Sequence, residues 1–487
     1  MTDVLLTHSY FLHFDPKQSK AQTPYPPLGT LYAAGYLTSN NITVSLFDTM
    51  LASSETELRD ALRTIQPKIL VIYDDDFNYL NKMCLTRMRE AAFVMSAIAK
   101  EFNIPVFVHG SDAADQSEQY LDHNADVVII GEGEQTLLEV VTAYLTNQKS
   151  RLRTIQGIAF VSSNGIIRTQ KRPVSRNLDS LPLPAWNLID LHQYQNVWKK
   201  HHGYFSVNMV TTRGCPYHCN WCAKPIYGQV YNSRSPENVV NEMLHIQSTL
   251  HPDHIWFADD IFGLTPDWVQ QFSVLVNERN VKIPFTIQSR ADLLLRDDTV
   301  EALAHAGCTE VWIGAESGSQ KILDAMEKGI TVQQIAESRR LLKNLGIKAS
   351  FFLQFGYSGE LFEDIQATIA MVKNLLPDNI GISVSYPLPG TKFYETVKAN
   401  MGEKKNWTDS DDLAMMYRGT YSPRYYKMLH RYVHKIFRYT QGVSFLKELL
   451  SMKSSFTKQK LRRMMLLAYY IPSILIDGLR LRQLSKT

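Results

Sequence analysis

Cys215, Cys219 and Cys222 lie within eight residues, in the run Thr-Thr-Arg-Gly-Cys-Pro-Tyr-His-Cys-Asn-Trp-Cys, and the other two of the five cysteines, Cys84 and Cys308, are far away in sequence. A cubane iron–sulfur cluster takes four thiolates, so a loop that supplies three leaves one iron open to a ligand that is not protein. A Cys3His zinc site with His218 is the competing chemistry. Its spacing is poor, because His218 directly precedes Cys219 and no second Cys/His pair follows at finger or ribbon distance.

The elements that position this loop follow from length and patterning. With 487 residues and 45% hydrophobic content, the chain should form two or three compact units. A formal charge of +3 argues against wholesale nucleic-acid binding. Cys84 and Cys308 read as buried thiols of a reduced cytoplasm, not as a disulfide framework. The start, Met-Thr-Asp-Val-Leu-Leu, lacks a basic segment followed by a long apolar one, so no secretory signal is expected.

Short apolar runs at Val4-Leu5-Leu6, Val44 to Phe47, Ile69 to Tyr73, Ile104 to His109 and Val127 to Ile130 alternate with helical stretches such as Leu28 to Leu37. That pattern predicts a parallel sheet with crossover helices, a flavodoxin-like domain of α/β class over residues 1–145. Ligands of such sheets gather at the carboxyl ends of strands. Residues 146–205 read as a linker, with a Ser-Asn-Gly hairpin turn and a proline-rich extended strap. Residues 206–400 repeat strand and helix, with strands at Val207 to Thr211, His254 to Ala258, Phe285 to Ser289, Glu310 to Gly314, Lys348 to Gln354 and Asn379 to Ser385. Six such units predict a partial (β/α)6 barrel, and the cysteine loop directly after its first strand belongs at the barrel mouth.

The CxxxCxxC spacing ahead of this pattern resembles the radical S-adenosylmethionine (radical SAM) superfamily. The resemblance implies a [4Fe-4S] cluster on Cys215, Cys219 and Cys222 whose free iron is chelated by the amino and carboxylate groups of S-adenosylmethionine. An electron from the cluster then yields a 5′-deoxyadenosyl radical. It further implies that Trp221 lies beside the adenine, that Asp259 and Asp260 face the methionine ammonium, and that Glu316 meets the ribose hydroxyls or that amine. Gly314, Ser317 and Pro389 fall in the strand-end motifs around the same cofactor. Arg290 could clasp a carboxylate bidentately. The plain alternatives are aspartate helix caps for Asp259 and Asp260 and a surface salt bridge for Arg290.

The first domain resembles the cobalamin-binding domain of the cobalamin-dependent branch of this superfamily. The likeness rests on Tyr-Pro-Pro-Leu-Gly ending at Gly29, on Asp48, and on Gly131, Glu132, Gly133 and Glu134; Gly110 and Ser111 close another strand. No Asp-x-His-x-x-Gly run supplies an axial histidine, and His8 and His13 lack its context. The implied cobalamin is bound without a protein histidine, with a purely structural Rossmann-like domain as the alternative. A second cysteine trio, expected of methylthiotransferases and of some peptide-maturing members, is missing.

Beyond Leu413 the only acids are Glu448 and Asp477 against many lysines and arginines. The region 401–487 reads as helical and basic. Its apolar run Met464 to Ile476 is interrupted by Pro472 and is shorter than the roughly 20 residues that span a bilayer. It suits a helical cap over the barrel or an interfacial patch on anionic lipid. The resemblance implies methyl transfer to a substrate carbon. The alternatives are radical oxidative cyclisation or rearrangement, as in the anaerobic magnesium-protoporphyrin monomethyl ester cyclase, and a non-catalytic corrinoid or redox sensor. The expected partners are a lipophilic or aromatic small molecule and an electron donor such as flavodoxin or ferredoxin, and not nucleic acid. The expected location is cytoplasmic, with peripheral contact at the inner membrane surface.

Overall fold

A computed structural model describes residues 2–224, 226–450 and 465–485. The central strands of the first sheet are apolar runs buried on both faces, as strands under crossover helices must be. It comprises β1 (Val4–Thr7), β2 (Val44–Phe47), β3 (Ile69–Tyr73), β4 (Val106–His109), β5 (Val127–Ile129), β6 (Ile158–Ser162) and β7 (Gly165–Arg168), in the order β2-β1-β3-β4-β5-β6-β7. Strands β1 to β5 pair in parallel, in the flavodoxin-like order, and β6 and β7 are antiparallel. Because strand side chains alternate, Leu5, Leu70 and Ile72 enter one core with Met95 and Ile98, while Leu6, Val71 and Tyr73 enter the other with Leu37 and Val140.

The hairpin expected at Ser163-Asn164-Gly165 forms, and it extends this sheet past residue 145 to Arg168. The proline-rich strap then crosses the helix Leu28–Ser39, where Ala185 N–H donates to the Leu31 carbonyl at 3.0 Å. Beyond the extended strap the linker also contains a helix, Leu191–His202, which the sequence reading left undescribed. Asp190 caps its first turn and Gly203, at φ 81°, ends it.

The second sheet contains β8 (Ser206–Met209), β11 (His254–Phe257), β12 (Phe285–Ser289), β13 (Cys308–Glu316), β14 (Lys348–Phe355) and β15 (Asn379–Val384), with a small ribbon of β9 (Thr212–Arg213) and β10 (Asn232–Ser233) beside it. Its order β15-β14-β13-β12-β11-β8 is parallel throughout, the partial barrel expected from six strand–helix units. The helix Pro423–Leu450 covers one side through buried Tyr426, Leu429, Val433 and Phe437, spaced at three and four residues as a helical core face requires, with Tyr425 buried beside them. The last helix, Leu467–Leu484, runs through Pro472 where an interruption was expected; Met464, the first residue of that apolar run, lies outside the described residues. Among the described residues no helix is long and apolar enough to cross a membrane.

Candidate active site

The cysteine loop leaves β8 at the carboxyl edge of the second sheet. Gly214 turns it at φ 82°, and a side chain there would run into the Val230 carbonyl, so both conformation and space require glycine. Asn220 pins the loop from three sides. Its N–H donates to the Met326 carbonyl at 3.0 Å, its side-chain amide to the Ala325 carbonyl at 2.7 Å, and its Oδ1 accepts from the Tyr357 hydroxyl at 2.9 Å. Burial raises the Cys215 thiol and pushes Cys222 up to about 12, so without a metal to displace the proton both stay as neutral thiols. Among the described residues no three His, Cys, Asp or Glu side chains converge closely enough to hold a single ion. Cations surround the loop instead: Arg290 Nη1 is 3.9 Å from Cys219 Sγ, and Lys328 lies 5.9 Å over the Trp221 ring.

The strand-end side chains below the loop differ in their partners. Asp259, expected to face S-adenosylmethionine, is 1% exposed and accepts four hydrogen bonds, from the backbone and hydroxyls of Thr211 and Thr212, at 2.7 to 3.0 Å. Both its oxygens are occupied within the protein, which corrects that expectation: Asp259 ties β11 to the chain leaving β8. Its neighbour Asp260 points outward to Lys82 Nζ at 2.6 Å. Arg290 is buried, not part of a surface salt bridge; it bonds Asp292 at 2.9 Å and lies 3.7 Å over the Tyr217 ring. Glu316 sits at φ 55°, where the pairing of β13 with β14 shifts register, and accepts from Lys328 Nζ at 2.8 Å. Gly314 makes room for that pair, since a Cβ there would lie 2.7 Å from Lys328 Nζ. Ser317 is buried, within 3.1 Å of the Thr368 hydroxyl, and Pro389 is exposed in the turn after β15. Trp221 Nε1 is buried without a partner.

The carboxyl edge of the first sheet faces this mouth. Gly29 N–H donates to Asp75 at 2.9 Å, Gly110 abuts Asp74, Gly131 accepts from His109 Nε2 at 2.9 Å, and Gly133 passes beneath Tyr73 and His109. Asp48 receives the Tyr194 hydroxyl of the strap at 2.6 Å and bonds His8 at 2.9 Å, while His13 is exposed. Glu132 and Glu134 reach across to Arg213, two residues before Cys215: Arg213 Nη1 pairs with Glu132, and Nη2 with Glu134 at 2.5 Å. Burial raises the Glu132 carboxyl above its usual range. At Glu134 burial opposes ionisation too, but the guanidinium holds the group below its usual value. Sequence reading assigned both glutamates to cobalamin and overlooked Arg213, Lys82 and Lys328. Arg213 and the Glu-x-Glu run were visible there, but nothing local paired them.

Two observations test the implied cofactors against these residues. The loop presents three thiols with nearby cations, a donor set that suits an anionic iron–sulfur cluster with an open iron. At the first sheet's edge, Tyr73 Oη, Asp76 Oδ1, Asn81 Oδ1, His109 Nδ1 and Ser111 Oγ are buried without partners. A group of orphaned polar atoms at one edge fits a ligand fringed with amides, as a corrinoid is.

Residues 209–372, from β8 to the helix after β14, match the family model described as the Radical SAM superfamily. These residues form a radical SAM domain. The chain thus carries the catalytic domain of radical SAM enzymes, which work with a [4Fe-4S] cluster and S-adenosylmethionine. It is 28% identical over 384 residues to an uncharacterized methyltransferase of Pyrococcus horikoshii, covering 78% of this chain and 80% of the relative. It is 26% identical to the anaerobic magnesium-protoporphyrin IX monomethyl ester cyclase of Rubrivivax gelatinosus, covering 76% of this chain and 66% of that enzyme. The radical SAM domain and its flanking regions together superpose on the cobalamin-dependent S-adenosylmethionine radical enzyme OxsB, with a TM-score of 0.73, 18% identity, and coverage of 99% of this chain and 72% of OxsB.

Proposed function

We propose that this chain is a cobalamin-dependent radical SAM methyltransferase that methylates a carbon of a lipophilic or aromatic small molecule. The observation that carries the reading is that the carboxyl edges of the two sheets face each other, joined by Arg213 to Glu132 and Glu134 and by Lys82 to Asp260. Anything held at one edge is thereby presented to the other. Residues 1–145, with the hairpin through Arg168 that completes their sheet, are the corrinoid-binding unit; the rest of 146–205 is the strap, 206–400 the barrel and 401–487 the helical basic region. When bound, the cluster supplies the electron that cleaves S-adenosylmethionine and the corrinoid supplies the methyl group.

The chain's own residues do the positioning. Cys215, Cys219 and Cys222 hold the cluster. Trp221, Asp260, Arg290, Gly314, Glu316, Ser317 and Pro389 line the place for S-adenosylmethionine, with Lys328 orienting Glu316. Gly29, Gly110, Ser111, Gly131 and Gly133 shape the corrinoid edge, and Glu132 and Glu134 hold that edge against the loop. A protein such as flavodoxin or ferredoxin delivers electrons, and the enzyme works in the cytoplasm with peripheral contact at the inner membrane surface.

The test is anaerobic reconstitution with iron, sulfide and hydroxocobalamin, followed by absorption spectra and product chromatography after dithionite and S-adenosylmethionine are added. Retained corrinoid, with 5′-deoxyadenosine and S-adenosylhomocysteine both formed by the native chain and deoxyadenosine lost in Cys219→Ala, supports the proposal. Deoxyadenosine without matched S-adenosylhomocysteine would move the assignment to cyclisation. A chain that cleaves no S-adenosylmethionine would return it to a sensor.

A further inference from the structure

The helix Leu467–Leu484 is amphipathic in the inverse sense. Its polar side faces protein: Asp477 is 2% exposed and accepts from Lys435 Nζ at 2.5 Å and from Arg431 Nη2 at 3.4 Å, both on the helix Pro423–Leu450. Ser473 adds a bond of 2.6 Å to Lys435. Its apolar side faces outward. Tyr469, Leu475, Ile476 and Leu479 are 57%, 66%, 50% and 66% exposed, and Met465, just ahead of the helix, is 66% exposed. At 3.6 residues per turn these side chains and Pro472 fall in one stripe about 120° wide. A surface helix ordinarily turns such a stripe inward, because exposed apolar area is unfavourable in water.

Charge indicates what covers it. Arg480, exposed, borders the stripe on one side, and Arg482, also exposed, lies on the other between Leu475 and Ile471, which is 50% exposed. After Leu413 the sequence carries fifteen lysines and arginines against two acids, Glu448 and Asp477, and Asp477 is buried in its ion pairs. An apolar stripe between cationic borders matches the acyl and headgroup layers of an anionic bilayer surface, with long arginine stems reaching phosphates while the apolar side chains enter the boundary. We propose that this stripe seats the enzyme on an anionic membrane, the helix lying in the plane of the interface. The proposal rests on the peripheral contact proposed above and assigns it to one face of one helix.

The experiment is flotation of the full-length reconstituted enzyme with phosphatidylcholine vesicles, with and without phosphatidylglycerol. The native chain is expected to float with the anionic vesicles and to be released as salt is raised. Leu475→Asp combined with Leu479→Asp is expected to weaken binding roughly tenfold or more, with circular dichroism and melting unchanged because both side chains are exposed. Val274→Asp, at an exposed site on the barrel helix Trp268–Glu278, should bind as the native chain does. Failure of the native chain to bind any vesicle would overturn both this proposal and peripheral contact. Binding that survives the double substitution would keep peripheral contact and overturn this face. A dimer in light scattering that the same substitutions dissociate would assign the stripe to a second copy of the chain, which also overturns the proposal.

Discussion

Arg213 is the residue on which the two halves of the site depend. It is 4% exposed, holds two buried glutamates from the other sheet, and lies 5.3 to 5.8 Å from the rings of Tyr32, Phe77 and Tyr227. Removing one partner of such a group leaves uncompensated charge in a dry place, so Arg213→Gln should cost about 3–5 kcal/mol, read as a lower melting temperature. Lys82 and Asp260 are closer to solvent, at 23% and 36% side-chain exposure, and their pair should contribute under about 1 kcal/mol. Lys82→Met melting as early as Arg213→Gln would refute this ranking. Glu360 gives a pH signature. It is fully buried, Gly356 N–H donates to its Oε2 at 2.6 Å, and burial raises its carboxyl to about 8 despite that bond. A folded pKa above the unfolded one, about 4.3, contributes stability that is complete at low pH and lost as pH rises through 8. Glu360→Gln should therefore gain on the native chain in melting temperature as pH rises from about 5 to 8 and hold that gain above 8; a pH-independent difference would refute the assignment.

At the scale of elements, the loop Gly214 to Cys222 depends on backbone that only one residue type allows. Gly214→Ala must place a Cβ at φ 82° against the Val230 carbonyl, a strain of about 1–3 kcal/mol located beside the first thiol. Iron bound per chain after reconstitution should fall while far-ultraviolet circular dichroism stays native; full iron loading would show that the loop tolerates the strain. Nearly every strand was legible because its signal is local: Ile69–Tyr73 is apolar at each position as a doubly covered strand must be, and the six barrel strands recur between amphipathic helices. The helix Leu191–His202 was not read, although its cap at Asp190 and stop at Gly203 are local too. The path of the last helix through Pro472 was not either, since it is held by Asp477 against a helix some forty residues earlier.

At the scale of the molecule, the parallel strands of the two sheets meet by their carboxyl edges, which puts the loop-rich side of each against the other. If that meeting organises the chemistry, Arg213→Gln should lower corrinoid retention more than iron loading, both read from absorption spectra of the reconstituted protein. Equal loss of both would make Arg213 a general stability residue. The sequence alone determined the three-thiol loop, the open iron it implies and the parallel α/β character of both sheets, because spacing and periodicity act over a few residues. Only the tertiary structure decided which acids are free to meet a ligand. Asp259 is closed by threonines 48 and 47 residues away, Glu134 by an arginine 79 residues away, and Asp260 is reached by a lysine 178 residues away. Those pairings are set by how the two sheets pack, and a carboxylate in sequence looks the same whether its partner is a cofactor or another strand.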